Sequence, residues 1–298
     1  MVEDGDSSQA VYNFKGDKLL YVSKHRRDHQ QDQVYEKDLS NGAERRLTFQ
    51  NGSTYQPHYL SKEPWIVYSS STDELKENPP LLHTATEVSK LPYPYQEPME
   101  VYVHALKGFD IQRLTDHPGF DGEARFGHDG VSVIFTRVNG SKTEIVSFHR
   151  TLHTAHAIKG LGLNPTQYVG SSDGKANAWI EWDDSFGVSK LRLQKGKSEP
   201  VEVGGDMIVT KTDLSFSPDS KYLLWAQKDA QTNLYDLWIT DIDNVCPQKL
   251  PTVTDMERRY PVISPDLKWL TFTMIDKKRS RIARMGFTPP TGPCPATP

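Results

Sequence analysis

The chain has 298 residues and a mass of 33.8 kDa, a length that closed all-β folds reach as a single domain. Its 36% apolar and 10% aromatic content excludes a disordered chain, and no run approaches the roughly 20 apolar residues that cross a bilayer. A net charge of −4 with a pI near 6.2 excludes general attraction to phosphate backbones, so nucleic acid is not an expected partner.

The start, Met1 to Gln9, is acidic and polar and does not read as an export signal. Short apolar runs follow, each carrying an aromatic near its end: LLYVS, WIVYSS, VIFTR, AWIEW, LLWAQ and WLTFT. Tyr21, Tyr68, Phe135, Trp179, Trp225 and Phe272 form one column, spaced about 44 to 47 residues apart except for about 67 between Tyr68 and Phe135, a period typical of propeller blades. A turn precedes each run: Lys15-Gly16-Asp17, Ser61-Lys62-Glu63, His128-Asp129-Gly130, Ser172-Asp173-Gly174, Ser217-Pro218-Asp219-Ser220 and Ser264-Pro265-Asp266. Proline and aspartate there preset a tight reversal between two strands. A second column, Val34-Tyr35, Val101-Tyr102, Ile145-Val146, Leu191-Arg192, Leu237-Trp238 and Ile282-Ala283, predicts the third strands. Arg46-Leu47-Thr48, Arg113-Leu114-Thr115, Ile158, Val203 and Leu250 predict the outermost ones.

These columns predict an all-β fold: one six-bladed β-propeller of four-stranded antiparallel blades, over 10–52, 53–119, 120–164, 165–207, 208–256 and 257–298. The long interval marks an insertion over 70–98 in the second blade, rich in proline and tyrosine, which could cap one face or contact a partner. The last repeat lacks an outer strand after Phe287, and the proline-rich tail cannot readily supply one. The segment Met1 to Ala10 is therefore expected to complete the last blade.

The SPDS turn at 217–220, the following Tyr222-Leu223-Leu224-Trp225, then Leu237-Trp238 and Asp241, and the two Arg-Leu-Thr endings resemble the TolB-like, WD-repeat-like propeller family over nearly the whole chain. The N-terminal α/β domain that full-length TolB carries has no counterpart expected here. The resemblance implies export to the bacterial periplasm, with the signal peptide absent from this sequence, and protein or peptide binding across one mouth of the channel. Cys246 and Cys294 are the two cysteines; an exported protein could pair them and a cytosolic one would not.

Residues just before or within the inner strands should line the channel: Tyr55, Gln56, His58, Glu123, Arg125, Tyr168, Asp213, Arg258, Arg259 and Tyr260. Tyrosine and arginine dominate binding hot spots, and Arg258-Arg259-Tyr260 is the densest cluster. Gly170-Ser171-Ser172-Asp173-Gly174 matches the nucleophile-elbow pattern, but a strand follows it where a helix is required. The histidines at 25, 29, 149, 153 and 156 fall on strands and connections, where their spacings do not imply a metal site. The expected function is a non-catalytic binding scaffold of the cell envelope, without a cofactor. A calcium-dependent propeller hydrolase or lactonase, to which Glu123 and Asp213 could lend carboxylates, is the first alternative, and a structural propeller inside a larger assembly is the second. The pattern selects no oligomeric state.

Overall fold

In the computed structural model, the described residues are 5–61, 63–73, 95, 97–108, 110–204, 211–229, 231–251, 256–277 and 279–290. Among them every regular element is a β-strand, and no helix is long and apolar enough to cross a membrane. The strands form six antiparallel sheets, each ordered as the chain runs. The inner strands are Asp6–Tyr12, Thr54–Tyr59, Asp121–Phe126, Pro165–Gly170, Lys211–Phe216 and Glu257–Ile263. The sheets pack face to face around a central channel, as the blades of a six-bladed propeller.

The aromatic column forms the core between blades. Tyr21, Tyr68, Phe135, Trp179, Trp225 and Phe272 are all buried on the second strands. Three of them stack on the aromatic directly opposite on the third strand: Tyr21 on Tyr35 and Tyr68 on Tyr102, each at 5.7 Å, and Trp225 on Trp238 at 6.3 Å. Directly opposed aromatic pairs of this kind stabilise a sheet by about 0.2–1 kcal/mol each beyond their burial.

The recurring turns are held by their own side chains. Ser217 Oγ donates to Asp219 Oδ1 at 2.6 Å and accepts from the Tyr222 amide at 2.9 Å. Ser264 and Asp266 repeat the pattern, and so do Ser171 and Asp173. In the Arg-Leu-Thr endings, Arg46 and Arg113 each donate Nε to the carbonyl of the threonine two residues on, at 2.6 Å. Thr48 and Thr115 in turn accept the amides of Val34 and Val101 at 2.9 Å, so the motif locks the outer strand onto the third.

Closure differs from the sequence expectation. Residues 6–12 do not add to the last blade; they form the inner strand of the first, paired with Lys18–Lys24. The last sheet has three strands among the described residues, Glu257–Ile263, Trp269–Asp276 and Arg279–Gly286. The ring is joined there by side chains: Tyr12 Oη hydrogen-bonds Thr271 Oγ1 at 2.6 Å, the Gln9 amide donates to Thr273 Oγ1 at 3.1 Å, and Ile282 packs with Ala10, Leu19 and Tyr21. The seven residues 6–12 supply an inner strand, and among the described residues its side chains join the seam. Cys246 is buried, and Cys294 lies outside the described residues.

Arg258, expected at the channel mouth, instead points between the fifth and sixth blades and is 1% exposed. Its guanidinium pairs with Asp236, donates to the carbonyls of Pro251 and Leu250 at 2.8 and 3.1 Å, and lies 5.8 Å from the Phe272 ring centre. Arg258→Met therefore leaves two carbonyls without this donor and takes the guanidinium from Asp236, which keeps Lys249 and the Leu237 amide, and is expected to lower unfolding free energy by about 3 kcal/mol. Urea denaturation measures this; a loss below about 1 kcal/mol would contradict the role of Arg258 as a staple between blades.

Candidate functional site: the channel and its two mouths

Each inner strand carries a bulge, seen as a register break at Ser8/Val11, Tyr55/His58, opposite Ile134/Thr136 in the third blade, Thr166/Val169, Thr212/Ser215 and Arg259/Val262. The first residue of every bulge has a left-handed backbone: Gln9, Gln56, Glu123, Gln167, Asp213 and Tyr260, with φ between 50° and 59°. None is glycine, so each of the six positions carries a conformational cost of about 1–2 kcal/mol. The bulge re-aims these side chains into the channel, where all six line one cavity.

Hydrogen bonds running from blade to blade compensate. The Gln56 amide donates to Gln9 Oε1 at 2.7 Å, Gln167 to Glu123 Oε2 at 2.9 Å, Asp213 to Gln167 Oε1 at 2.6 Å, and Tyr260 to Asp213 Oδ2 at 3.3 Å. A phenol at 260 does not supply this carbonyl-type acceptor, and at that seam Thr273 Oγ1 receives the Gln9 amide. The waist is thus a girdle of side-chain acceptors bound to the neighbouring backbone.

The two carboxylates of the girdle are fully engaged. Glu123 accepts from Tyr95 Oη at 2.9 Å, Thr136 Oγ1 at 2.7 Å and the Gln167 amide. Burial raises its pKa, and these three donors and Arg125 oppose the rise. Asp213 is held by Arg259 through two bonds, Nε to Oδ2 at 2.8 Å and Nη2 to Oδ1 at 3.0 Å. Burial works against the Arg259 charge, but the Asp213 carboxylate outweighs it and holds the guanidinium firmly protonated.

On the side where the inner strands begin, the channel opens into an aromatic mouth of about 960 Å³, including its open part. Tyr55, Tyr235 and Tyr260 are half-buried on its wall, with Trp182 and Phe186 beneath. The Arg259 guanidinium lies 4.6 Å from the Tyr235 ring centre and 5.1 Å from that of Tyr260. Tyr95 joins from the insertion, buried edge-on against Phe120 at 5.3 Å. Residues 74–94 and 96 of that insertion lie outside the described residues. On the other side, where the turns cluster, a second mouth is lined by His58 and Arg125, by valines and aromatic residues, and by turn residues such as Ser172, Ser217 and Asp219.

The structure thus brings Tyr55, Gln56, His58, Glu123, Arg125, Asp213, Arg259 and Tyr260 to the channel. It places Tyr168 elsewhere: the second residue of its bulge, it stacks on Trp179 at 6.5 Å inside the blade. Sequence reasoning missed Gln9 and Gln167. Aligning the inner strands SSQAVY, TYQPHY, DGEARF, PTQYVG, KTDLSF and RRYPVI shows an amide or carboxylate recurring at their third position, with tyrosine in the last. Ser172 bonds the Pro218 carbonyl and Ser220 Oγ of the next blade, each at 2.8 Å, and stands in a strand-to-strand turn. Among the described residues no group of three or more His, Cys, Asp or Glu side chains is arranged to hold a metal ion.

No protein-family model matches the sequence, and no curated protein matches it. Solved structures do resemble it in fold. TolB from Acinetobacter baumannii superposes with a TM-score of 0.65 at 16% identity, covering 95% of this chain and 61% of that one, so this chain spans less than two thirds of that protein. A putative TolB from Agrobacterium tumefaciens gives 0.62 at 12% identity, over 95% of this chain and 90% of that one. An oligogalacturonate lyase from Vibrio parahaemolyticus gives 0.63 at 14%, over 97% and 79%. The architecture is that of a TolB-like six-bladed propeller, and it is shared by proteins of different activity.

Burial places the Glu123 pKa above its unfolded value, so this group is neutral toward folding below the unfolded pKa. It becomes unfavourable as pH rises through that value to the folded one. The unfolding free energy of Glu123→Gln relative to the wild type should therefore move in favour of the variant between about pH 4 and about pH 7. Denaturation at both pH values checks it, and a pH-independent difference would rule out a buried, pKa-raised carboxyl.

Proposed function

We propose that this chain is a non-catalytic binding scaffold that holds a protein or peptide segment in the aromatic mouth of its channel. The observation that carries this reading is the contrast between waist and mouth. The Gln9, Glu123, Gln167 and Asp213 side chains of the waist are bound to the neighbouring backbone, and at the mouth Tyr55, Tyr235 and Tyr260 place half-buried rings around the Arg259–Asp213 pair. Rigid aromatic surface beside a fixed guanidinium suits anchoring of a peptide side chain. With Glu123 and Asp213 already bound to protein donors, a calcium cage at the waist would have to break these contacts. The likeness in fold to TolB structures supports a place in the bacterial cell envelope, after export.

Selection from a displayed library of random peptides tests the reading. Peptides enriched on the wild type are expected to bind Tyr55→Ala,Tyr235→Ala about thirtyfold more weakly, the loss of a hot spot of about 2 kcal/mol. Arg258 stays intact in this test, since its loss would destabilise the contact between the fifth and sixth blades. Enriched peptides that bind the variant unchanged would move the site off this mouth, and turnover of ester or lactone substrates that depends on calcium would overturn the non-catalytic reading.

A further inference from the structure

Two residues beyond each left-handed position comes a second ring: Val11, His58, Arg125, Val169, Ser215 and Val262. All six line the mouth on the turn side, a cavity of about 1890 Å³ including its open part. Three are valines, and the Ser215 hydroxyl donates to the Pro261 carbonyl at 2.5 Å. The polar groups left facing the cavity from this ring are the Arg125 guanidinium and the His58 imidazole, on adjacent blades.

Arg125 donates one hydrogen bond, from Nη2 to the Leu214 carbonyl at 2.9 Å, and among the described residues no carboxylate lies within ion-pair distance of it. The two carboxylates whose field it feels, Glu123 and Asp213, are bound to other donors. Burial pushes its pKa down to about 10, against the pull of those carboxylates. Burial and the neighbouring Arg125 charge hold His58 well below the usual histidine range, so its ring is neutral and retains an N–H to donate. A half-buried positive charge with most of its N–H groups unused is a state that an anion would stabilise.

We propose that Arg125 and His58 form a carboxylate-binding subsite entered from the turn-side mouth. A carboxylate matches the planar fork of a guanidinium and carries one negative charge. A dianion such as phosphate would meet one cation while facing the fields of Glu123 and Asp213. The carboxylate belongs to a small organic acid or to a peptide, through its C-terminus or an acidic side chain. The subsite lies across the girdle from the aromatic mouth, so it stands or falls apart from the peptide site proposed there.

The His58 ring resonance, identified by its loss in His58→Asn, reports occupancy by NMR. Titration with acetate, with a short peptide bearing a free C-terminus, with the same peptide amidated, and with inorganic phosphate distinguishes the ligands. Saturable shifts are expected with a carboxylate, together with a rise in the His58 pKa, because the bound anion offsets the Arg125 field. Acetate alone would identify a small-acid site; the free peptide acting where its amidated form does not would identify a chain terminus. Arg125→Gln is expected to weaken the response at least about tenfold, the loss of a charged hydrogen bond, and Arg125→Lys to retain part of it. The titration of the unaltered protein needs no variant to fold. Silence toward every carboxylate, a response to phosphate alone, or an unchanged response in a folded Arg125→Gln protein would overturn the proposal.

Discussion

The left-handed residue in each inner strand is the constraint on which the rest of the structure depends. A regular strand would alternate its side chains above and below the blade, burying them between neighbours. The bulge interrupts that alternation and turns one side chain toward the axis, at a cost in backbone energy that glycine would avoid. Glycine could not make the compensating bond. Gln9, Glu123, Gln167 and Asp213 each reach the backbone amide of the next blade's own bulge, so the strain of one strand is relieved by the position of its neighbour. Blades that were displaced from one another would lose both terms together.

A second set of contacts fixes the outer parts of the blades. Lys211 and Arg258 occupy equivalent places, two residues before the left-handed position, and both are buried. Each reaches back to the preceding blade, Lys211 to the Val203 carbonyl at 3.0 Å and Arg258 to those of Leu250 and Pro251. The end of an outer strand leaves carbonyls without a ladder partner, and a buried cation from the following blade satisfies them. The seam between the first and last blades works with the same economy, through hydroxyls on Tyr12, Thr271 and Thr273.

The girdle also divides the channel chemically. One side presents tyrosine rings around an arginine whose charge is matched by Asp213; the other presents valines around an arginine and a histidine without such a match. The two arginines differ because Arg259 directly precedes a bulge and lies beside the previous blade's carboxylate, while Arg125 follows one and meets only a carbonyl. Identical side chains three positions apart on a repeated strand thereby acquire opposite electrostatic situations.

The aromatic column was legible because burial between blades demands a large apolar residue at the same point of every repeat, and the turns were legible because serine, proline and aspartate make their own local hydrogen bonds. Eight of the ten residues expected at the channel reach it, since proximity to an inner strand is a property of sequence position. Their roles were not legible. Arg258 and Arg259 are adjacent in the chain, yet one staples two blades and the other lines the mouth, because consecutive strand residues face opposite ways. Tyr168 looked like a channel residue until the bulge turned it onto Trp179. The sequence by itself determined the number of blades and their local turns, which rest on periodicity and short-range bonding. Only the tertiary structure decided how the ring closes, which side chains the bulges aim inward, and which charges find partners, because each of those depends on what the neighbouring blade presents across the gap.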